Sequence, residues 1–563
     1  MRVRLSCISM ALCLCACAHD PAQPHNASVS ESESTTRPHD ETPQWWFGEG
    51  ARTAAALRGA HAGQARNIIL FLGDGMSITT ITAARILEGQ RRGSPGEENR
   101  LAFEAFPYTA LSRTYAVDAQ TADSASTMSA IMTGIKTRYD TVSLTQDARP
   151  GDCASTRGHA AATLLEIAES SGLATGVVTT TRITDATPAA SYAHSADDNW
   201  EADADMPVEA RDAGCVDIAR QLIEFSAGDG IDVAFGGGRS RFLPTDASDP
   251  EYPDLRGKRL DGRNLIAEFE AREGSRFVWN AQQFNALDTS RSNQVLGLFE
   301  PENLHYIEDG KQDAAGAPSL AQMTTKAIAL LSRHREGYVL VVEGGRIDHA
   351  HHSGNAYRAL DETIGLSDAV RAAVAATRAD ETLILATADH SHTLSFSGAS
   401  IRGNPILGLA RSRNRDGNAA EQASEDAAGR PFTTLNYANG PGYLSSSDAQ
   451  AAGPKHFPHV PRKYSDEAVT RPNLALVDTA HPDYLQESIF PMRRETHSGE
   501  DVAVFARGPG AEAVHGSLEQ NVLFHLMLQA NPRMRAHLCR ATPCEGASIP
   551  VQRPRIEDLT VDP

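Results

Sequence analysis

Short, unbroken apolar runs recur along the chain from residue 67 onward, separated by longer stretches with a helical repeat. Residues 67–72 (NIILFL), 175–181 (TGVVTTT), 231–235 (IDVAF), 338–342 (YVLVV), 382–387 (TLILAT) and 501–506 (DVAVFA) are bounded by Gly or Asp and read as strands. Runs without polar alternation belong to strands covered on both faces, as in parallel sheets. Segments 160–170 and 318–332 carry apolar residues at helical spacing, and 43–59, with Trp45 and Trp46 near its start, predicts a helix ahead of the first strand. This alternation predicts an α/β fold with a large, mostly parallel central sheet flanked by helices on both faces. From about 400 to 494 the pattern lapses into Gly, Pro, Ser and Asn, which predicts an inserted loop-rich subdomain. The core pattern resumes at His497, and no internal repeat interrupts it.

The first residues follow a different rule. Arg2 and Arg4 precede a mostly apolar stretch, 5–16, too short to span a bilayer as a mature helix. It closes on Leu14-Cys15-Ala16-Cys17, which looks like a bacterial lipoprotein signal (1–17) with Cys17 as the acylated residue; an ordinary cleaved signal is the competing reading. Residues 18–42 are polar and rich in Ser, Thr, Pro and His, as expected of a flexible tether. The protein is therefore expected to be exported, either periplasmic or held at the outer membrane as a lipoprotein. Four cysteines in the body, Cys153, Cys215, Cys539 and Cys544, agree with export and suggest two bridges. The short Cys539/Cys544 spacing allows a local loop, which would leave Cys153 for Cys215.

Charge narrows the partners. The chain carries 52 Lys+Arg against 72 Asp+Glu, a formal net charge of −20. Such a chain repels nucleic acid and anionic membrane surfaces. It also repels an anionic substrate, unless bound cations invert the local field.

Acidic residues and histidines gather just after the predicted strands: Asp74 after the first, Asp185 and Thr187 after the second, then Glu343, then Asp389 and His390. Each alone would be a cap or turn residue. Their recurrence at strand ends is what matters, because ligands of open α/β sheets bind at the carboxyl ends of strands. In 342–352 (VEGGRIDHAHH), Asp348 and His352 are four apart and share one face of a helical turn. With Asp389, His390 and His497 they supply enough N and O ligands for two ions such as zinc. Glu343, Asp74 and the Thr187 hydroxyl offer hard oxygens suited to magnesium. A candidate nucleophile, Ser124, lies in the small-residue run 122–127 (ADSAST), which opens a predicted helix whose free N–H groups favour an anion. No G-x-S-x-G elbow, Walker loop or H-E-x-x-H motif is present.

Together these segments resemble the alkaline phosphatase family, closely its animal-type branch, from about residue 43 to about 530. The resemblance is carried by 72–76, 123–125, 179–194, 343–352, 387–392 (TADHSH) and 495–510. It implies hydrolysis of small phosphate monoesters through a phosphoserine on Ser124, two Zn2+ and one Mg2+ per subunit, and a homodimer. Carried over residue by residue, Asp348, His352 and His497 would hold the first zinc, and Asp74, Asp389 and His390 the second. Asp74, Thr187 and Glu343 would hold magnesium, with Asp185 reaching it through water, and His349 would contact phosphate through water. Cys153/Cys215 and Cys539/Cys544 match the family's two disulfides. Residues 43–399 would form the catalytic domain with an N-terminal arm around the Trp45 helix, 400–494 the crown subdomain, 495–545 the return of the catalytic domain and 546–563 a tail.

Three positions depart from the pattern. Met128 and Ser129 replace a small residue and Thr. The animal-type calcium site is matched at Glu251, the Phe299 carbonyl and Glu300, but Ala317 stands where its aspartate would be, so calcium is not carried over. The phosphate-clamping arginine is absent, with Asp198 in its place and Arg494 a candidate substitute. That loss keeps open a phosphodiesterase-leaning reading, and a non-catalytic metal-binding surface protein is the alternative of another class.

Overall fold

The computed structural model describes residues 40–59, 63–446, 450, 453–459, 470–546 and 548–559. Ten strands form the central sheet: β1 (Asn67–Gly73), β2 (Tyr108–Arg113), β3 (Ala174–Arg182), β4 (Val233–Gly237), β5 (Ser275–Val278), β6 (Gln294–Leu298), β7 (Tyr338–Gly344), β8 (Thr382–Thr387), β9 (Val502–Arg507) and β10 (Gly516–Glu519). Their order is β10-β2-β9-β8-β1-β7-β3-β4-β6-β5. All pairings are parallel except those of β9, which runs antiparallel to β8 and β2.

The six strands read from the sequence are present. Their unbroken apolarity has the expected cause: along β1, Ile68, Leu70 and Leu72 enter one buried layer, while Ile69 and Phe71 enter the layer on the opposite face. The four missed strands lack that signal. β2 alternates exposed and buried positions beside the edge strand β10. β5 and β6 are only four and five residues long, too short for a period to distinguish strand from helix.

Helix α1 (Pro43–Arg58) starts where Thr42 Oγ1 accepts the Trp45 N–H at 3.1 Å and stops at Gly59, φ 60°. Its apolar side buries Trp46, Phe47, Ala51 and Ala54. The Phe47 ring lies 5.8 Å from Phe524 and 4.6 Å from His525 of this same chain. Among residues 400–494 the described elements are sparse, chiefly Leu435–Gly440 between Leu394–Phe396 and Ser488–Pro491. Cys153–Cys215 and Cys539–Cys544 are disulfide-bonded. No helix among the described residues is long and apolar enough to cross a membrane. The signal segment, Cys17 and nearly all of the tether lie outside the described residues.

Candidate metal centre

Register places the site. Leu72 of β1 is level with Glu343 of β7 and Thr387 of β8, and Thr179 of β3 is level with Glu343. Four central parallel strands therefore end together, and Asp74, Asp389-His390, Glu343 and Asp185 leave them at one edge.

The Ser124 hydroxyl sits at the start of helix α2 (Ser124–Thr133), capped by Asp123, whose carboxylate accepts the Ala125 N–H at 3.2 Å. The helix enters the core because its residues are small or apolar: Ala125 through Thr133 are all buried. Ser124 Oγ lies 3.0 Å from His390 Nε2 and 3.4 Å from Asp74 Oδ1. The other oxygen of Asp74 accepts the Thr187 hydroxyl at 3.2 Å. Asp389 accepts the Gly75 N–H at 3.0 Å, and its second oxygen is 3.3 Å from His390 Nε2.

Helix α3 (Arg346–His352) divides its histidines by face. His352 Nε2 lies 3.3 Å from Asp348 Oδ2, and His497 Nε2 approaches Asp348 Oδ1 at 3.3 Å and His352 Nε2 at 3.2 Å. His351 turns into the core instead, between Thr80 Oγ1 at 3.0 Å and the Tyr437 hydroxyl at 2.8 Å. His349 Nδ1 receives Arg346 Nη1 at 2.8 Å, and its Nε2 is 3.8 Å from Asp185. Two ligand-rich groups result: Asp348, His352, His392 and His497, and Asp74, Asp348 and His390.

The electrostatics fit divalent cations. Burial, then Asp389, Asp348, Glu343 and Asp185, raise the Asp74 carboxyl well above the usual range. Burial pushes Glu343 up to about 8, although its Oε2 accepts the Thr179 and Thr181 hydroxyls. Its Oε1 is buried without a hydrogen-bond partner, as is His390 Nδ1. Burial lowers His349 and His352 to about 3 and His390 well below its ordinary value, so these imidazoles are neutral. Crowded carboxylates beside neutral imidazoles are costly alone and stabilised by metal ions.

Two residues not assigned a role from sequence complete the arrangement. His392 Nε2 lies 2.6 Å from Asp348 and its Nδ1 2.5 Å from Glu495. Burial would lower its pKa, but Glu495 and Asp348 hold it near 10. The two-residue spacings of His390/His392 and Glu495/His497 were the available signal. A separate carboxylate group corrects the sequence reading: Glu251 and Glu300 are joined by Asp313, four residues before the Ala317 expected to break the set.

A cavity of about 660 Å³ opens over the centre, lined by Ser124, His349, His352 and Arg494, with Asp198 on its wall. Asp198 joins Asp123 and Asp140 in a carboxylate cluster. Burial, then these neighbours, push Asp198 up to about 8.

The sequence profile described as "Alkaline phosphatase" matches residues 65–532. The tissue-nonspecific alkaline phosphatase of Gallus gallus is 42% identical over 509 residues, covering 89% of this chain and 91% of its own. The alkaline phosphatase of Gadus morhua is 41% identical over 497 residues, with 87% and 97% covered. Among solved structures, the Thermus thermophilus alkaline phosphatase superposes with a TM-score of 0.58 at 23% identity, covering 85% of this chain and 93% of that one. The enzyme from the Antarctic bacterium TAB5 gives 0.54 at 20%, with 84% and 99% covered. At those identities the two structures speak for the fold alone.

Proposed function

The chain belongs to the alkaline phosphatase family and hydrolyses phosphate monoesters, and we propose that Ser124 is the nucleophile of that reaction. One observation carries the assignment: a serine hydroxyl at a helix start stands within 3.4 Å of His390 Nε2 and Asp74 Oδ1, contributed by distant chain segments. The relatives favour neither a diesterase-leaning nor a non-catalytic reading.

Asp348, His352 and His497 would hold one zinc, Asp74, Asp389 and His390 a second, and Asp74, Thr187 and Glu343 a magnesium, with Asp185 reaching it through water. Bound there, the ions would neutralise phosphate charge and favour ionisation of the Ser124 hydroxyl. Ser124 Oγ attacks phosphorus in line as the ester oxygen departs on the opposite side. Water then cleaves the phosphoserine, releasing phosphate and restoring the hydroxyl. His349 contacts the phosphate through water. His392 positions Asp348, with Glu495 behind it. The carboxylates of Glu251, Glu300 and Asp313 form an oxygen set suited to calcium.

The test is Ser124→Ala in metal-loaded enzyme. Turnover should fall by at least about 10³-fold with zinc content retained, and mass spectrometry of acid-quenched parent enzyme should find phosphate on the Ser124 peptide. Retained turnover refutes the assignment.

The same reading extends to the chain's setting. Residues 1–17 would be a lipoprotein signal, Cys17 the anchor and 18–42 a tether, placing the enzyme in the periplasm or at the outer membrane. A homodimer would form through α1 and the crown of residues 400–494, flanked by catalytic segments 43–399 and 495–545 and the tail 546–563. Membrane fractionation of Cys17→Ser and the solution mass test these assignments.

A further inference from the structure

A second cavity, of about 430 Å³, adjoins the first. The two share Arg182, His349, His352 and Arg494, but Ser124, Asp123, Asp140 and Asp198 line only the first. The second is lined by four arginines, Arg182, Arg346, Arg493 and Arg494, and by no acidic side chain. Arg182 is neutralised by Asp185 and Glu201, each at 2.8 Å. Arg346 is held over the Tyr306 ring, 3.7 Å from its centroid, and its buried Nε has no hydrogen-bond partner. Arg493 and Arg494 are exposed at the rim. In a chain of net charge −20, a concave surface of this sign attracts anions.

Position gives the cavity a role. In-line displacement sends the leaving group away from the nucleophile. The second cavity begins at His349 and His352 and is not lined by Ser124, so a leaving group that departs past those histidines enters it. The carboxylates of Asp123, Asp140 and Asp198 line the first cavity together with Ser124. Resting on the monoesterase reading above, we propose that this cavity is a leaving-group subsite selecting phosphomonoesters whose alcohol carries a second anionic group, a phosphonate, phosphate or carboxylate. Arg493, Arg494 and Arg346 recognise that group, while phosphoryl transfer remains at Ser124. Guanidinium forks suit such anions.

Three substrates with one ester linkage test it: propyl phosphate, 3-phosphonopropyl phosphate and 3-aminopropyl phosphate, assayed by phosphate release from the metal-loaded full chain. At low salt, kcat/KM for the phosphonate should exceed that for propyl phosphate by about tenfold, through KM. The aminopropyl ester should be the poorest. Added salt should shrink the ratio. Arg493→Ser with Arg494→Ser should bring the phosphonate-to-propyl ratio to about twofold or less, and Arg493→Lys alone should keep most of it. Equal rates for phosphonate and propyl esters, preference for the amine, or an unchanged ratio in the double variant would overturn the subsite while leaving the monoesterase intact. Failure to turn over all three would overturn both.

Discussion

Replacing Asp198 with arginine tests the expectation that residue 198 stands where a phosphate-clamping arginine would. At an assay pH above about 8, where the Asp198 carboxyl is ionised, the perturbation turns an anion on the wall of the Ser124 cavity into a cation, beside Asp123 and Asp140, which can orient it as ion-pair partners. A unit charge about 5 Å from phosphate is worth about 3 kcal/mol per phosphate charge at an effective dielectric of about 20. Partial exposure of residue 198 reduces this, whereas each hydrogen bond to a charged group contributes about 1.5–3 kcal/mol. A net gain of about 1.4–2.8 kcal/mol corresponds to tenfold to hundredfold tighter phosphate binding. The assay is competitive inhibition by inorganic phosphate, with zinc and magnesium content and thermal unfolding matched to the parent. Asp198→Asn separates the two contributions: it removes the repulsion without adding a fork, and its gain should be smaller. An unchanged inhibition constant in folded, metal-replete Asp198→Arg would mean that residue 198 does not face the phosphate.

Other consequences can be measured independently. Asp348→Ala should lose about one zinc per chain by elemental analysis together with most activity, because its carboxylate joins His352 and His497 in one ligand set. If calcium binds at Glu251, Glu300 and Asp313, calcium should raise the melting temperature of the parent and raise it less in Asp313→Asn. Glu169 is pushed up to about 9 by burial and by Asp232, so its folded-state pKa lies above the unfolded value. That stability is present below about pH 4.5 and is lost as pH rises toward 9. Glu169→Gln should flatten this decline by about 1–3 kcal/mol in denaturant titrations at pH 6 and 9; parallel curves for parent and variant would refute it.

The six strands buried on both faces were legible because two-sided burial writes an uninterrupted apolar run, as in Asn67–Gly73 with its alternate residues in opposite layers. Asp74, Glu343, Asp389 and His390 were legible for a related reason: a charged residue directly after such a run sits at the carboxyl edge of the sheet. Helix spacing likewise paired Asp348 with His352. Those readings use local periods, which the chain carries in one dimension.

Tertiary structure decided what depends on neighbours far apart in sequence. It separated His351, whose partners are Thr80 and Tyr437, from His349 and His352, two positions before it and one after. It joined His392 to Glu495 across 103 positions and brought Asp313, not Ala317, to Glu251 and Glu300. Short edge strands such as Ser275–Val278 and Gly516–Glu519 also waited for it, because their pairing depends on partners and not on an apolar period of their own. The sign of the field around the phosphate is the clearest case. Asp198, Asp123 and Asp140 gather in the Ser124 cavity, whereas Arg346 and Arg493 line only its neighbour and Arg182 and Arg494 line both. Electrostatic energy depends on distance through space, which a net charge of −20 does not record.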